Sequence, residues 1–297
     1  MKRYIAGLAC VATAVLSAPA LASTAHAQAP GAATARPQAA DPVGALKKQF
    51  RNGRGVKYAD VTKVQSSIGS QVFASREGSL QFGAVGIKAS DQTGKLRLKA
   101  SDIEAIVGDS DDEESKGLRG LAKPERVVRI GNVSYIFGGY FGEYLPEDKT
   151  WLRLPGANLG LIGTLSQPIS PAEPATLQAL LTHATTKRPG LYAGKITEGE
   201  LYKISPWYRA TTMIKPSAKT AKSVLNWKLF VGSDQLAQRL TTTYANGDST
   251  VTFDTRYTGW GSPVTVKAPP ADQIAKPGDL GKGADTSTTP IPLLGGN

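Results

Sequence analysis

The alternation of residues between Val224 and Pro270 constrains the fold more than any other feature of the chain. Two sets of residues alternate in the run 227–231, and the same two-residue period continues at 239–244 and 251–258. Successive side chains of a β-strand point to opposite faces, so each run predicts a strand. The turn sequence Asn246-Gly247-Asp248 between two of these runs is typical of a β-hairpin. We predict an antiparallel meander of three or four strands, with one apolar face that another part of the chain must cover.

Shorter runs of the same kind predict further strands earlier in the chain. They lie at 56–98, 127–137, 151–154 and 191–196, and Gly131-Asn132 marks a second hairpin turn. Together with the meander they give about nine to eleven short strands. With two or three helices, this pattern predicts an α+β fold in which a large antiparallel sheet carries helices on one face.

The best-marked helix lies in the middle of the chain. Ser170-Pro171-Ala172-Glu173 matches a capping box, with serine as N-cap and glutamate three residues later. Apolar residues then recur at helical spacing from Leu177 to Ala184. We predict an amphipathic helix from Pro171 to Lys187, ended by Pro189-Gly190.

The first residues have the pattern of a secretory signal peptide. Lys2-Arg3 precedes an apolar run from Tyr4 to Leu21, and Ala25-His26-Ala27 is a cleavage sequence of the Ala-x-Ala kind. We predict a signal peptide over 1–27, with Ala20-Leu21-Ala22 as a second candidate site. The alternative is an uncleaved membrane anchor.

The rest of the chain divides by composition. Residues 28–41 are rich in Ala, Pro and Gly and are predicted to be a flexible tether. A folded domain is predicted over 42–276, beginning with a helix at 42–50 behind the N-cap residue Asp41. Residues 277–297 are predicted to be a disordered tail.

Cys10 is the only cysteine. A lipoprotein acylates a cysteine at the end of its apolar core, after a Leu-x-small sequence. Here Gly7 occupies the leucine position, and the apolar run continues beyond Cys10. We therefore expect a secreted, extracytoplasmic or envelope protein without a lipid anchor, and a mature chain without disulfides or cysteine-bound metal.

The excess of basic residues remains after export. Without Lys2 and Arg3, the chain retains 33 of its 35 basic residues and has 24 acidic ones. This charge favours contact with an anionic membrane or cell-wall surface. Nucleic acid is not expected as a partner, because the protein is exported and its basic residues form no aromatic stripe.

No residue pattern predicts catalysis or metal binding. His183 is the only histidine of the mature chain, whereas zinc needs three or four ligands, and no Gly-x-Ser-x-Gly elbow supplies a nucleophile. The acidic cluster at 109–114 lacks the glycine and final glutamate of an EF-hand loop and is interpreted as a solvated loop. Carboxylates on the predicted strands, such as Asp254, leave a pair of catalytic carboxylates as an alternative. We predict a protein that is not an enzyme and has no cofactor and no metal.

Several motifs resemble one family of envelope proteins. They are Asp254-Thr255-Arg256-Tyr257-Thr258-Gly259-Trp260-Gly261, the run 264–270, Lys149-Thr150-Trp151-Leu152-Arg153, the helix at 171–184 and Asp41-Pro42. In this combination the chain resembles the actinobacterial LppX/LprG-type proteins, which are LolA-like lipid carriers. The resemblance covers most of the folded domain, and its motifs belong to the scaffold and not to a catalytic site.

The resemblance implies a curved antiparallel half-barrel whose concave face is covered by helices. It also implies a non-enzymatic protein that holds the acyl chains of a lipid or lipoglycan between sheet and helices and carries them within the envelope. We expect a monomer. The chain departs from the family in lacking a convincing lipobox and in carrying the acidic insert at 109–114.

Two other functions remain as alternatives. Some relatives of this fold sense the state of the envelope, so a sensor that binds a regulatory partner is the first. If exposed, Trp207 and Tyr208 would form its partner surface. The aromatic residues are otherwise expected to pack on the sheet face, and Trp207-Tyr208 and Trp260 are the exceptions left open as sugar platforms. A secreted hydrolase is the second alternative, although the sequence shows no polar constellation for it.

An acyl groove would be lined by apolar side chains of the sheet and the central helix. We predict that its lining residues are Leu80, Phe82, Leu177, Leu180, Leu181, Leu229, Phe253 and Tyr257. Protein interiors are normally close-packed, so a helix packed tightly on the sheet, without a void, is the opposing hypothesis.

Overall fold

Twelve β-strands form one open sheet in the computed structural model, which describes residues 40–282 and 284 except 109, 111 and 213. The strands are β1 (Arg54–Ser66), β2 (Gly69–Phe82), β3 (Ile87–Leu96), β4 (Glu125–Ile130), β5 (Val133–Gly138), β6 (Trp151–Pro155), β7 (Ala184–Arg188), β8 (Leu191–Thr197), β9 (Val224–Val231), β10 (Ala237–Asn246), β11 (Ser249–Pro263) and β12 (Ile274–Ala275). Their order is β12-β6-β5-β4-β3-β2-β1-β11-β10-β9-β8-β7. Among the described strand pairs, β12 and β6 form the one parallel pair. Because β12 and β7 lie at opposite edges, the sheet does not close into a barrel.

A layer of α-helices covers one face of the sheet, which we call the inner face. The described helices are α1 (Pro42–Lys48), α2 (Ala100–Val107), α3 (Glu113–Leu121), α4 (Gly139–Gly142), α5 (Gly160–Thr164), α6 (Pro174–His183), α7 (Glu198–Ile204) and α8 (Pro206–Thr212). At one end α6 packs on β8 and α1, and at the other α4 packs on β5. The predicted fold class, an open antiparallel sheet with helices on one face, is confirmed. None of the described helices has the length and apolar character needed to cross a bilayer.

The predicted meander is confirmed as β9, β10 and β11. Gly247 lies in the turn between β10 and β11 with a φ of 57°, a left-handed conformation that glycine adopts without strain. Of the predicted three or four strands, three are found, because β11 ends at Pro263 and no strand is described between it and β12. Proline donates no backbone hydrogen bond, so the prolines at 263, 269 and 270 do not support a continuous ladder there.

The central helix is shorter than predicted. It covers Pro174–His183 and not 171–187, and Glu173 occupies the N-cap position without capping the helix with its side chain. The residues after His183 continue directly into β7, which pairs with β8 across a turn in which Gly190 has a φ of 73°. Sheet pairing with β8 therefore replaces the last helical turn that the sequence pattern predicted.

The predicted ends of the chain are only partly described. The leader at 1–27 and most of the tether at 28–41 lie outside the described residues, as does 285–297. Residues 277–279 form a short 3-10 turn, and Leu280 packs against the core beneath β4–β6. The domain limits therefore stay predictions.

The core consists of two apolar clusters on the inner face. The larger one lies under β1, β2 and β8–β11 and contains the side chains of α1, α6, α7 and α8. The smaller one lies under β4–β6 with α4 and α5. Polar side chains on the inner face of β1, β2 and β3, among them Asp60, Arg76 and Gln92, are buried between them.

One irregular segment, residues 156–173, crosses the inner face from β6 to α6, and we call it the crossing segment. From Leu159 to Glu173 nearly every residue is buried. A buried irregular backbone must find hydrogen-bond partners other than water. Side chains of the sheet supply them: Thr62 Oγ1 donates to the Leu165 carbonyl at 2.6 Å, and Gln92 Nε2 donates to the Leu159 carbonyl at 2.9 Å.

Glu125 anchors α5, which belongs to the crossing segment. Its Oε1 accepts a hydrogen bond from the Ile162 amide at 3.0 Å, whereas its Oε2 is buried without a partner. Gly160 has a φ of 72°, and a Cβ there would lie 2.3 Å from Glu125 Oε1, so only glycine permits this approach. Burial disfavours the charged carboxylate and raises the pKa of Glu125 from 4.5 to about 7.

The stability of the domain is therefore expected to depend on pH through Glu125. The folded state retains a proton on Glu125 that the unfolded state loses above pH 4.5, so the contribution to stability is full below pH 4.5 and is lost as pH rises to about 7. Glu125→Gln keeps an acceptor for Ile162 but cannot ionise. Its free energy of unfolding should fall less between pH 5 and pH 8 than that of the parent, by about 3 kcal/mol.

Urea denaturation of both proteins at the two pH values measures this difference. Equal pH dependence in parent and variant would show that Glu125 titrates normally and would contradict the prediction.

Candidate functional site

The eight predicted groove residues lie on the inner face or on the helix that covers it. Leu80, Phe82, Leu177, Leu180, Leu229 and Tyr257 belong to the larger core cluster, and Leu181 packs against it. Leu181 is half-buried and the other seven are buried. Phe253 lies outside that cluster and stacks on Tyr244 with ring centroids 6.0 Å apart. The structure thus brings seven of the eight to one place, and their role in binding stays a proposal.

A row of aromatic rings connects these residues to the flanking helices. Phe82 contacts Phe50, which follows α1, at 5.2 Å between centroids, and stacks on Trp260 at 6.0 Å. Trp260 in turn lies 6.0 Å from Tyr257. Tyr58, which the sequence analysis did not single out, extends the row to α8 through Trp207.

The space between β1, β2 and β11 and the ring of Trp207 is nearly filled. Tyr58, Leu80, Trp207 and Tyr257 are among the side chains that surround a cavity of about 10 Å³. Such a cavity is close to the smallest that holds one water molecule, and an acyl chain does not fit into it. At this place the covering layer packs on the sheet without a void large enough for a ligand. An acyl ligand could therefore bind here only if part of the covering layer moves.

The polar centre of the inner face is an ion pair between Asp60 on β1 and Arg76 on β2. Arg76 Nη2 and Nε lie 2.6 Å and 3.2 Å from Asp60 Oδ2, and both residues are at most 3% exposed. Arg76 Nη1 also donates to Gln92 Oε1 at 3.3 Å. The guanidinium lies over the rings of Tyr58 and Trp207, with its central carbon 5.3 Å and 5.4 Å from their centroids.

The ion pair also holds the crossing segment. Asp60 Oδ2 accepts a hydrogen bond from the Gln167 amide at 3.2 Å, and the Gln167 carbonyl accepts one from Trp207 Nε1 at 3.1 Å. The Gln167 side chain accepts from Thr242 Oγ1 at 2.8 Å and donates to Thr255 Oγ1 at 3.2 Å. Gln167 therefore joins strands β1, β10 and β11 to α8.

Burial changes the ionisation of the aromatic hydroxyls at this centre. It raises the pKa of Tyr58 to about 12, and the hydroxyl donates to Gln92 Oε1 at 2.6 Å. Burial also raises the pKa of Tyr257. Both groups stay neutral at physiological pH, which favours structural hydrogen bonding over proton transfer.

The helix α6 is attached differently from the crossing segment. Leu177 and Leu180 are buried in the larger core cluster, but no described side chain of Pro174–His183 forms a hydrogen bond with the sheet. The covering layer is therefore held by buried polar bonds beneath β1–β3 and by apolar contact at α6.

The aromatic residues considered as a partner surface are not exposed. Trp207 and Tyr208 are 4% and 3% exposed, and Glu198 accepts a hydrogen bond from the Tyr208 hydroxyl at 2.7 Å. Trp260 is half-buried and donates to the Ala237 carbonyl at 2.8 Å. Trp207 and Tyr208 therefore do not meet the condition for a partner surface, which was their exposure.

The titratable residues weighed for catalysis or metal binding do not converge. His183 is at the surface, 3.9 Å from Glu200. Of the acidic cluster, Asp109 and Asp111 lie outside the described residues, and Asp112 caps α3 by accepting from the Ser115 amide at 2.8 Å. Within the described part of the chain, no group of three or more His, Cys, Asp or Glu side chains could hold a metal ion.

The ion pair could have been suspected from sequence. Asp60 falls on the same face of β1 as Val56 and Tyr58, and Arg76 falls on the same face of β2 as Leu80. A charge in an otherwise buried alternation indicates a buried partner. Strands β1 and β2 pair with Asp60 directly opposite Arg76, so the two opposite charges become neighbours on the buried face.

Comparisons with known proteins assign no family to this chain. No family model matches the chain, and no curated protein matches it. Among solved structures it is similar to a LolA superfamily protein from Nitrosomonas europaea, with 6% identity, 73% of this chain and 90% of that chain covered, and a TM-score of 0.30. A hypothetical protein from Chlamydia trachomatis shares 12% identity over 76% of this chain and 98% of its own, with a TM-score of 0.31.

A putative outer membrane lipoprotein-sorting protein domain from Vibrio parahaemolyticus is similar at 6% identity, covering 73% of this chain and 89% of that chain, with a TM-score of 0.26. TM-scores below 0.5 carry no argument about function, so the proposals below rest on the contacts of this chain.

The buried ion pair gives a test of how the covering layer is held. Arg76→Met leaves the Asp60 carboxylate buried without its counter-charge and should lower the free energy of unfolding by about 3–5 kcal/mol. Asp60→Leu should have a similar effect. The double variant removes both charges, so its loss should be clearly smaller than the sum of the two single losses.

Urea denaturation of the four proteins completes this double-mutant cycle. Additive losses would mean that the two side chains stabilise the fold independently.

Proposed function

We propose that the protein is an exported, non-enzymatic carrier that holds the acyl chains of a lipid or lipoglycan between its sheet and α6. The single observation that supports this most is that no described side chain of α6 forms a hydrogen bond with the sheet. Leu177 and Leu180 belong to the same buried cluster as Leu229, whereas the buried Thr176 bonds to Glu173 of the crossing segment. An acyl chain can replace these leucines on the inner face without breaking a side-chain hydrogen bond between α6 and the sheet.

The energetics favour α6 as the moving part. Exposing its apolar face to water would lose about 25 cal/mol for each Å² uncovered, but an acyl chain that takes its place covers the same surface. Lifting the crossing segment would instead expose the Asp60–Arg76 pair, break the bond from the Gln167 amide to Asp60 and break the bond from Gln92 to the Leu159 carbonyl. We therefore place ligand entry on the α1–α6 side, which the aromatic row from Phe50 to Tyr257 would line.

A binding role, and not hydrolysis, agrees with how the buried carboxylates are used. Asp60 neutralises Arg76, and Glu125 holds the Ile162 amide. Glu173 accepts hydrogen bonds from the Ser205 hydroxyl and the Trp207 amide. Each of these carboxylates has a structural partner, which supports the proposal of a carrier.

The face of the sheet opposite to the helices supports the proposed anionic partner surface. Exposed basic side chains lie there on β1, β8, β9 and β11: Lys57, Lys63, Lys195, Lys228 and Arg256. Replacing Lys57 and Lys228 with glutamate should weaken binding to vesicles that contain phosphatidylglycerol, and added salt should weaken binding of the parent. Vesicle co-sedimentation measures both effects, and binding that is insensitive to charge and to salt would contradict this part of the proposal.

Substitution of Leu181 tests the position of the acyl site. Leu181 is half-buried at the edge of α6, so the ring of Leu181→Trp should lie across the entry and abolish uptake of a fluorescent fatty acid. The melting temperature should remain close to that of the parent, because α6 can shift without breaking a side-chain hydrogen bond to the sheet. If α6 is fixed core, the same change overpacks it and costs about 1–3 kcal/mol, which lowers the melting temperature by roughly 2–12 °C.

Gln178→Trp is the matched control, because Gln178 is exposed on the same helix. It should leave both uptake and melting unchanged. If the parent takes up no fatty acid, and protein purified from its native envelope shows no bound lipid by native mass spectrometry, the carrier function is excluded.

A further inference from the structure

The inner face of the sheet carries a second buried arginine, Arg129 on β4. It is 6% exposed, and its Nε is buried without a hydrogen-bond partner. No described residue forms an ion pair or a side-chain hydrogen bond with it. Arginine does not lose its proton in proteins, so this guanidinium is a buried positive charge that lacks a direct partner.

A second unpaired group lies beside it. Ser90 on β3 is directly opposite Arg129 in the antiparallel register, and its hydroxyl is fully buried without a hydrogen-bond partner. On the other side Arg129 is opposite Ser134, whose Oγ donates to the Asn158 carbonyl at 2.7 Å and is therefore used by the crossing segment. Arg129 and Ser90 thus present unused donors at neighbouring positions of one face.

The contrast with Arg76 shows that this arrangement is unusual within the same core. Arg76 is equally buried but has a carboxylate, an amide oxygen and two aromatic rings around its guanidinium. Buried polar groups in native proteins almost always have partners, so the partner of Arg129 is a water molecule, an ion or a ligand group.

Neighbouring charges do not fill the role of a partner. Glu173 is the carboxylate whose charge acts on Arg129, but it forms no ion pair with it. Its Oε1 accepts from the Trp207 amide, and its Oε2 accepts from Thr176 and Ser205. Burial raises the pKa of Glu173. Tyr58 also faces Arg129, and it is neutral at physiological pH.

We propose that Arg129 and Ser90 form a binding site for one oxyanion group, a phosphate or a carboxylate. The guanidinium supplies the charge and paired N–H donors, and the Ser90 hydroxyl supplies a further donor. The site lies near the end of β4, one residue before the strand ends and the Gly131-Asn132 turn begins. Where the anion is the headgroup of the acyl ligand, the inference rests on the proposed function and makes that ligand an acidic lipid.

Inorganic phosphate tests the site without any acyl chain. Phosphate should raise the melting temperature of the parent in a saturable manner, and chloride at equal ionic strength should not. Arg129→Met should abolish this shift. Without phosphate it should melt at or above the parent temperature, because an unpaired buried charge has been replaced by an apolar side chain.

The control is Arg126→Met on the same strand. Arg126 points to the opposite face and pairs with Asp91, so its loss removes the same charge without touching the site. It should leave the phosphate shift unchanged. Ser90→Ala should weaken phosphate binding by about tenfold through the loss of one donor to a charged group.

Two lipids, one with a phosphate headgroup and one without, distinguish a site for a lipid headgroup from a site for free phosphate. If the site holds the headgroup, the parent should bind oleoyl lysophosphatidic acid at least about tenfold more tightly than monoolein, and Arg129→Met should bind both equally. Binding of monoolein without any such preference would retain the acyl carrier and overturn the oxyanion site. Binding of phosphate without either lipid would retain the site and exclude the carrier.

Absence of a phosphate shift and of a headgroup preference in the parent would overturn the proposal. A loss of stability in Arg129→Met would do so as well, since it would mark Arg129 as a structural residue with water as its partner.

Discussion

The ion pair between Asp60 and Arg76 is the interaction on which the covering layer depends. A long irregular segment lies buried on the inner face, and its backbone has no water to bind. Asp60 binds the Gln167 amide, and Arg76 binds Gln92, which in turn holds the Leu159 carbonyl. One buried pair thus fixes the segment at two points, and each charge is tolerated only because the other is present.

This arrangement divides the covering layer into two mechanically different parts. Beneath β1–β3 the layer is held by directional polar bonds that are lost together if it moves. At α6 it is held by Leu177 and Leu180, whose apolar contacts are non-directional and can be exchanged for those of another apolar molecule. A filled interior is compatible with ligand binding in such a molecule, because only α6 has to move.

Arg76 and Arg129 are both buried positive charges on the inner face, but only Arg76 forms an ion pair with a described residue. Arg76 is neutralised within the fold, so it stabilises the closed layer. Arg129 is buried on the same face, but it forms no ion pair and no side-chain hydrogen bond with any described residue. The oxyanion site proposed above rests on this difference between the two arginines.

The sequence by itself determined the strands of the meander, the turn at Gly247 and the α+β class, because side-chain alternation and turn chemistry are local. The tertiary structure decided what local patterns do not contain. It shortened the central helix, since pairing with β8 takes the residues after His183 into the sheet. It buried Trp207 against a strand more than a hundred residues away in the chain. It also paired Asp60 with Arg76 and left Arg129 alone, because the partner of a buried charge depends on which strands become neighbours and on how closely the covering layer packs.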